Sequence, residues 1–257
     1  MRLENKVALV TGAARGIGKA IVLAFAQEGA DLALADIEEA TLDQTKQEIA
    51  SLGRRVFAQR CDVSDPSQVE RLVTDAERTL GPIDILVNNA GIGGGGGVWE
   101  TDHQTWQRIL GVNLMGAYYF SHRVLPRMIE RKRGRIINIA SIGGKIPFHH
   151  SAAYVTSKHG LIGMTRSIAL DTATLGITCN AICPSWTLTE MALSYARSLM
   201  ASQNITLEEA LAHMPTNPQN RIMDAAEVAQ LAVMLASDAA AGITGQAINV
   251  DGGAVMY

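Results

Sequence analysis

Tyr154 and Lys158 lie four positions apart, and together their side chains could transfer a proton. In a helix, residues at this spacing leave the same face one turn apart. A free tyrosine titrates near pH ~10, so at neutral pH its phenol gives up the proton poorly. A fixed ammonium group beside the phenol favours the phenolate and would lower its pKa. The pair is a candidate acid/base couple, although most such pairs form an ordinary solvated helix face.

A serine and an asparagine could complete this site. Ser141 follows the apolar segment 135–140, and residues at the carboxyl ends of parallel strands face the ligand crevice. Asn113 lies inside a segment that otherwise has the pattern of a buried helix, where asparagine is usually unfavourable. Both residues are therefore candidates for a role beyond packing.

Short apolar segments alternate with longer segments of helical period, which predicts βα units and a parallel sheet. The predicted strands cover 7–10, 32–35, 55–60, 83–87, 135–140, 177–181 and 247–250. Helices are predicted over 17–28, 38–52 and 225–241, and a further helix begins at Pro66 with Asp65 as its N-cap.

The segment 188–221 interrupts this alternation. Its apolar residues recur at helical spacing, and it ends in two prolines, so we predict a helical insertion after the sixth strand. We interpret the insertion as a lid over a substrate, with an oligomer contact or plain surface helices as the alternative. No linker or repeat divides the 257 residues, so we predict one domain over 1–257.

Composition narrows the function classes. The chain is 47% hydrophobic and 18% charged with a net charge of -3, which gives no electrostatic case for nucleic acid or an anionic membrane. The segment 225–241 carries charged residues and is too polar for a membrane span. Cys61, Cys179 and Cys183 lack the paired spacing of a metal or redox site. We expect a soluble cytoplasmic protein without a metal, and no signal peptide is visible.

A glycine-rich turn follows the first predicted strand at 11–18, with the spacing G-x-x-x-G-x-G. Its glycines would let the backbone approach a pyrophosphate that rests on the N-terminus of the next helix. The alternative is merely a tight βα loop. The predicted cofactor contacts in this turn are Gly12, Arg15, Gly16, Ile17 and Gly18.

Asp36 directly follows the second strand, where an acidic side chain accepts hydrogen bonds from the adenosine ribose and disfavours a 2′-phosphate. Its alternative role is only to cap the next helix. Arg15 could favour NADP, but Ile37 supplies no compensating charge, so we favour NAD over NADP.

Two further strand ends carry polar or small residues that could reach the same cofactor. Asp62 and Val63 follow the third strand and could hold the adenine edge. Asn89, Ala90 and Gly91 follow the fourth strand at the same rim. Either segment could instead be a strand-ending turn, where Asp, Asn and Gly are common.

From Lys6 to Gly253 the chain resembles the short-chain dehydrogenase/reductase family, of the classical subtype. The family's Thr-Gly-x-x-x-Gly-x-Gly turn matches 11–18, and its Asn-Asn-Ala-Gly motif matches 88–91. Its catalytic tetrad matches Asn113, Ser141, Tyr154 and Lys158. The resemblance implies an α/β Rossmann fold: a doubly wound, seven-stranded parallel sheet with helices on both faces and a helical lid. It also implies a homotetramer.

The resemblance further implies an NAD(P)-dependent oxidoreductase that interconverts a secondary alcohol and a ketone (EC 1.1.1.-). Tyr154 would be the general acid/base, and Lys158 would lower its pKa and bind the nicotinamide ribose. Ser141 would hold the substrate oxygen, and Asn113 would anchor a water that relays protons from Lys158 to solvent.

One position departs from the family pattern. The family usually has Pro-Gly after the sixth strand, and this chain has Pro184 followed by Ser185, whose side chain could alter the room for cofactor or substrate. Pro184, Thr187 and Thr189 remain predicted cofactor contacts.

The predicted substrate pocket combines residues of several loops: Gly93, Ser141, Gly143, His149, Trp186 and Met191. The family's 3-hydroxybutyrate dehydrogenases bind a carboxylate with polar or basic residues, and this chain has Gly93, Gly143 and Ser151 there. We therefore favour a neutral, fairly apolar ketone or alcohol. The alternatives are a 3-oxoacyl thioester, which Arg15 supports, or a 3-hydroxy acid. A non-catalytic nucleotide sensor is less favoured, because it needs no Tyr–Lys pair.

Overall fold

The computed structural model describes residues 1–215 and 217–257. Its strands are β1 (Val7–Thr11), β2 (Asp31–Asp36), β3 (Val56–Arg60), β4 (Ile85–Asn88), β5 (Gly134–Ile139), β6 (Ile177–Pro184) and β7 (Ala247–Val250). All strand pairs are parallel, and the order across the sheet is β3-β2-β1-β4-β5-β6-β7. The chain therefore winds outward in both directions from β1 and β4, and the predicted doubly wound α/β fold is confirmed.

Helices connect the strands as βα units require. They are α1 (Gly16–Gln27), α2 (Glu39–Ser51), α3 (Pro66–Leu80), α4 (His103–Leu110), α5 (Gly116–Arg131), α6 (Ala152–Asp171), α7 (Glu190–Gln203), α8 (Leu207–His213) and α9 (Ala225–Ala236). A π-helical turn, Gly111–Met115, joins α4 to α5. The predicted helix 225–241 ends at Ala236, because Ser237 is extended and starts a separate 3₁₀ turn.

The sheet is buried on both faces, as continuous apolar strands require. On one face, alternate strand residues such as Val10 and Leu34 pack against Phe25 of α1 and Val233 of α9. On the other face, their neighbours, including Leu9, pack against α3 and α5. This double burial fixes the strands and leaves their carboxyl ends to carry polar residues.

The segment 188–221 contains two helices, α7 and α8, as the predicted helical insertion requires. The two helices share a small apolar cluster around Ala192, Ala196, Ala210 and Met214. The ring of Trp186 stacks on Tyr195 with centroids 4.8 Å apart, which attaches α7 to the loop after β6. Thr216 lies outside the described residues, and the function of this segment as a lid stays a prediction.

Two further expectations concern the surface. Within the described ranges, no helix is long and apolar enough to cross a membrane. Large apolar side chains are exposed on the π-helical turn, on α5 and on α6, namely Met115, Tyr118 and Leu170. The homotetramer itself stays a prediction.

Candidate active site

A cavity of about 450 Å³ lies at the carboxyl ends of the strands, where the order reverses between β1 and β4. Most predicted site residues line it: Gly12, Arg15, Ile17, Asp36, Asp62, Val63, Asn89, Ala90, Gly91, Ser141, Tyr154, Lys158, Pro184, Trp186, Thr187, Thr189 and Met191. Residues more than a hundred positions apart in sequence therefore meet in one crevice.

Gly16 and Gly18 do not line the cavity, and they allow the close packing of the 11–18 turn. A Cβ on Gly18 would lie 2.0 Å from the backbone oxygen of Gly12, so the turn closes on itself too tightly for any side chain there. A Cβ on Gly16 would lie 3.1 Å from Cγ2 of Thr189. The turn is thus held close to the start of α7 on the opposite wall.

Three predicted pocket residues do not line the cavity. Gly93 lies behind Met191, whose sulfur would be 3.5 Å from a Cβ at position 93. Gly143 is packed beneath Phe148 and Tyr154. His149 is exposed on the loop before α6 and lies outside the cavity.

Tyr154 and Lys158 occupy the first two turns of α6, as their spacing predicts. The ammonium nitrogen of Lys158 lies 5.7 Å from the centre of the Tyr154 ring. It is buried and donates a hydrogen bond of 2.8 Å to the carbonyl oxygen of Ile139, the last residue of β5. The end of β5 thus fixes the position of the positive charge.

The protein environment acts on the pKa values of both side chains. Burial raises the pKa of the Tyr154 phenol, and a hydrogen bond with Ser141 offsets part of that increase. Burial lowers the pKa of the Lys158 ammonium to about 8. The sequence led us to expect a lowered pKa for the phenol. Desolvation of the phenol is instead the largest effect on its pKa, and the Lys158 ammonium is directed at the Ile139 carbonyl.

Ser141 begins a short 3₁₀ turn at the end of β5. Its hydroxyl accepts a hydrogen bond of 3.0 Å from the backbone N–H of Gly143, so its orientation is fixed. The same hydroxyl interacts with the Tyr154 phenol. A substrate oxygen placed between these two hydroxyl groups could contact both of them.

Asn113 lies in the π-helical turn and does not line the cavity. Its side-chain oxygen accepts a hydrogen bond from the N–H of Ile92 at 2.8 Å. Its amide donates to the carbonyl of Ile92 and to the hydroxyl of Ser157, each at 3.0 Å. Both amide hydrogens are therefore used inside the protein. The water that Asn113 would anchor stays a prediction.

The first wall of the cavity fits a dinucleotide. Arg15 occupies the N-cap position of α1, but its side chain makes no hydrogen bond to the first turn of the helix. The first N–H groups of α1 can therefore donate to an anionic phosphate. The Asp36 carboxylate faces the cavity and accepts hydrogen bonds from the N–H groups of Ala14 and Glu38 at 2.9 and 3.0 Å. Its remaining lone pairs can accept the hydroxyl groups of a ribose.

The predicted contacts after β4 also hold the glycine-rich turn. The Thr11 hydroxyl accepts the N–H groups of Asn89 and Ala90, each at 3.0 Å. The Asn89 amide donates to the carbonyls of Thr11 and Gly12, each at 2.9 Å. Asn89 therefore fixes the turn whether or not it also touches a cofactor.

Several residues that line the cavity were not predicted: Ser64, Ile92, Arg108 and Glu190. Ser185 lines it too, at the position where the sequence departs from the family pattern. Ser64 and Ile92 directly follow predicted segments, so extending those segments by one residue would have found them. Arg108 lies on α4, one turn before the π-helical turn, and its sequence has no signal beyond an amphipathic helix.

Comparisons with known proteins agree with this geometry. A family model described as enoyl-(acyl carrier protein) reductase matches residues 12–255. A 3-oxoacyl-(acyl-carrier-protein) reductase of Thermotoga maritima is 37% identical over 256 residues, covering 100% of both chains. A D-beta-hydroxybutyrate dehydrogenase of Cupriavidus necator is 37% identical over 255 residues, covering 98% of each. A crystal structure of an actinorhodin polyketide ketoreductase variant with NADPH superposes with a TM-score of 0.94 at 38% identity, covering 98% of each chain.

Proposed function

The chain belongs to the short-chain dehydrogenase/reductase family, and we propose that it interconverts a neutral secondary alcohol and its ketone with NAD. It is an oxidoreductase of a family that uses a nicotinamide cofactor. One observation carries the proposal: Ser141, Tyr154 and Lys158 line the same cavity as the glycine-rich turn. A nucleotide sensor would need the turn alone.

When bound, the nicotinamide supplies or accepts the hydride. The proposed task of the protein is to hold the substrate oxygen and move one proton. The Ser141 hydroxyl, fixed by Gly143, donates a hydrogen bond to the substrate oxygen. The Tyr154 phenol gives its proton to that oxygen in reduction and takes the proton from the alcohol in oxidation. The ammonium of Lys158 supports the phenolate by its charge.

The substrate side of the cavity supports a neutral, fairly apolar substrate. Its apolar walls come from Ile92, Trp186 and Met191. Glu190 is already paired with Arg197, and Lys158 donates to the Ile139 carbonyl. Among the described residues, this side offers no arginine or histidine, so a substrate carboxylate would be buried there without a dedicated partner.

A 3-oxoacyl thioester is the second candidate substrate. It is neutral at the reacting ketone, and one relative is named as a 3-oxoacyl-(acyl-carrier-protein) reductase. Arg15 is exposed beside the cavity and could serve NADP, the phosphorylated form of the cofactor seen with the ketoreductase. The apolar walls suit a simple ketone and a 3-oxoacyl thioester equally, so a measurement must distinguish the two candidate substrates.

Replacing Tyr154 by phenylalanine should lower kcat by about 10²-fold or more, because the proton donor is removed while the ring remains. Ketone reduction and alcohol oxidation are measured with purified protein and a panel of secondary alcohols and ketones. Tyr118→Phe, which alters an exposed phenol on α5, is the matched control. Wild-type turnover by Tyr154→Phe would rule out the proposed mechanism.

The kcat of alcohol oxidation and the kcat of ketone reduction should respond oppositely to pH. Burial raises the pKa of Tyr154, so the phenol is protonated at neutral pH and ready to act as an acid. Oxidation needs the phenolate, so its kcat should rise as pH increases from about 7 to about 10, the ordinary pKa of tyrosine. Reduction needs the protonated phenol, so its kcat should fall only as pH passes the raised pKa of Tyr154. A parallel response in both directions would contradict the assignment of Tyr154.

Replacing Asp36 by alanine should lower the ratio of kcat/KM for NADH to that for NADPH by about tenfold or more, because a carboxylate that repels the 2′-phosphate is lost. Asp31→Ala at the opposite end of β2 is the control, since its partner is Arg55. Unchanged selectivity in Asp36→Ala would show that this carboxylate does not select the cofactor.

A neutral ester of a 3-oxo acid should be reduced with a kcat/KM about tenfold or more above that of the free acid, because the described residues on the substrate side of the cavity offer a carboxylate no arginine or histidine. The thioester of the same acid is measured beside both compounds. A thioester that exceeds every simple ketone would favour the second candidate. A free acid that exceeds its ester would exclude both neutral substrates.

A further inference from the structure

We propose that Ser157 is a positioning residue that joins Asn113 to the helix carrying Tyr154 and Lys158. The inference rests on the proposed proton transfer by Tyr154 and Lys158. Ser157 immediately precedes Lys158 in α6 and does not line the cavity. Its role would therefore be exerted through its two neighbours in the site.

The Ser157 hydroxyl is completely buried and has two partners. It donates a hydrogen bond of 2.7 Å to the backbone carbonyl of Tyr154 and accepts one of 3.0 Å from the Asn113 amide. Asn113 in turn binds both backbone groups of Ile92. A continuous set of hydrogen bonds thus runs from the loop after β4 to the backbone of the catalytic tyrosine.

That loop is also in contact with the catalytic lysine. A Cβ on Gly91 would lie 3.4 Å from the Asn113 side-chain oxygen and 3.5 Å from the Lys158 ammonium nitrogen. Gly91 and Ile92 both line the cavity. A shift of α6 relative to this loop would therefore change the position of Lys158 against the wall that receives the cofactor.

The π-helical turn that carries Asn113 indicates why the Ser157 hydroxyl is needed as a hydrogen-bond acceptor. Such turns are rare and occur often at functional sites. Here the turn directs the Asn113 side chain inward, where its amide is fully paired only if Ser157 accepts one hydrogen. Without that hydroxyl, one buried N–H loses its acceptor.

Thr165 provides a matched comparison on the same helix. It is also completely buried, donates to the carbonyl of Leu161 at 2.8 Å, and accepts the Asn138 amide at 2.8 Å. Asn138, however, connects to Asn88 inside the sheet rather than to the cavity loop. Removing either hydroxyl leaves one buried asparagine hydrogen unpaired, but only Ser157 lies on the path to Tyr154.

The test compares Ser157→Ala with Thr165→Val, each of which removes one buried hydroxyl. Both should lower the unfolding temperature by a similar amount. Ser157→Ala should lower kcat by about tenfold with little change in substrate KM, and should weaken binding of NADH and NADPH by about threefold. It should also shift the pH midpoint of kcat, whereas Thr165→Val should keep kcat and cofactor affinity within about twofold of wild type. Ser157→Thr, which keeps the hydroxyl, should restore most of kcat.

Equal kcat and equal cofactor affinity in Ser157→Ala and Thr165→Val would overturn the inference, as would a Ser157→Thr variant no better than Ser157→Ala. Failure of the proposed function gives a different result, in which Tyr154→Phe turns over like wild type. The binding of NADH and NADPH, measured by cofactor fluorescence, still decides the role of Ser157 in that case. A Ser157→Ala protein too unstable to purify would leave the decision to Ser157→Thr, whose loss of kcat at normal stability would count against the proposal.

Discussion

The buried ammonium of Lys158 is the group around which the site is built. A charge removed from water needs a partner, and here the carbonyl of Ile139 accepts its hydrogen bond at 2.8 Å. Ile139 is the last residue of β5, so the end of that strand determines where the charge lies. Two residues later the same strand end presents Ser141, and α6 returns with Tyr154 one turn before Lys158. The sheet, rather than a flexible loop, sets the distances among the reacting groups.

The same low-dielectric environment acts on the side chains of Tyr154 and Lys158 and disfavours the charged form of each. It raises the pKa of Tyr154 and lowers the pKa of Lys158 to about 8. The protein therefore favours the neutral phenol of Tyr154 and holds it beside Lys158. Such a pair is suited to proton donation, and the charge of Lys158 supports the phenolate that oxidation needs.

Patterns with a local physical cause were predictable from the sequence. Continuous apolar strands, the glycine-rich turn and the order of motifs gave the parallel sheet and most cavity residues. Properties that depend on distant partners were not predictable. The spacing of Tyr154 and Lys158 puts them on one face of α6, but the upward direction of the Tyr154 pKa follows from burial of the phenol in the folded chain. Asn113 was recognised as unusual, while its π-helical turn and its bond to Ser157 arise only when α4, α5 and α6 pack together.

Ser185 illustrates how the fold accepts a departure from the family pattern. Glycine is needed where the backbone has a positive φ or where another group lies too close for a Cβ, and the positive-φ residues do not include Ser185. Its N–H donates to the carbonyl of Val250, and its hydroxyl lies 3.5 Å from the carbonyl of Asp251. The pairing of β6 with β7 continues up to Pro184, so the backbone is already fixed by the sheet when it reaches Ser185. A side chain at this position therefore changes the lining of the cavity without altering the course of the chain.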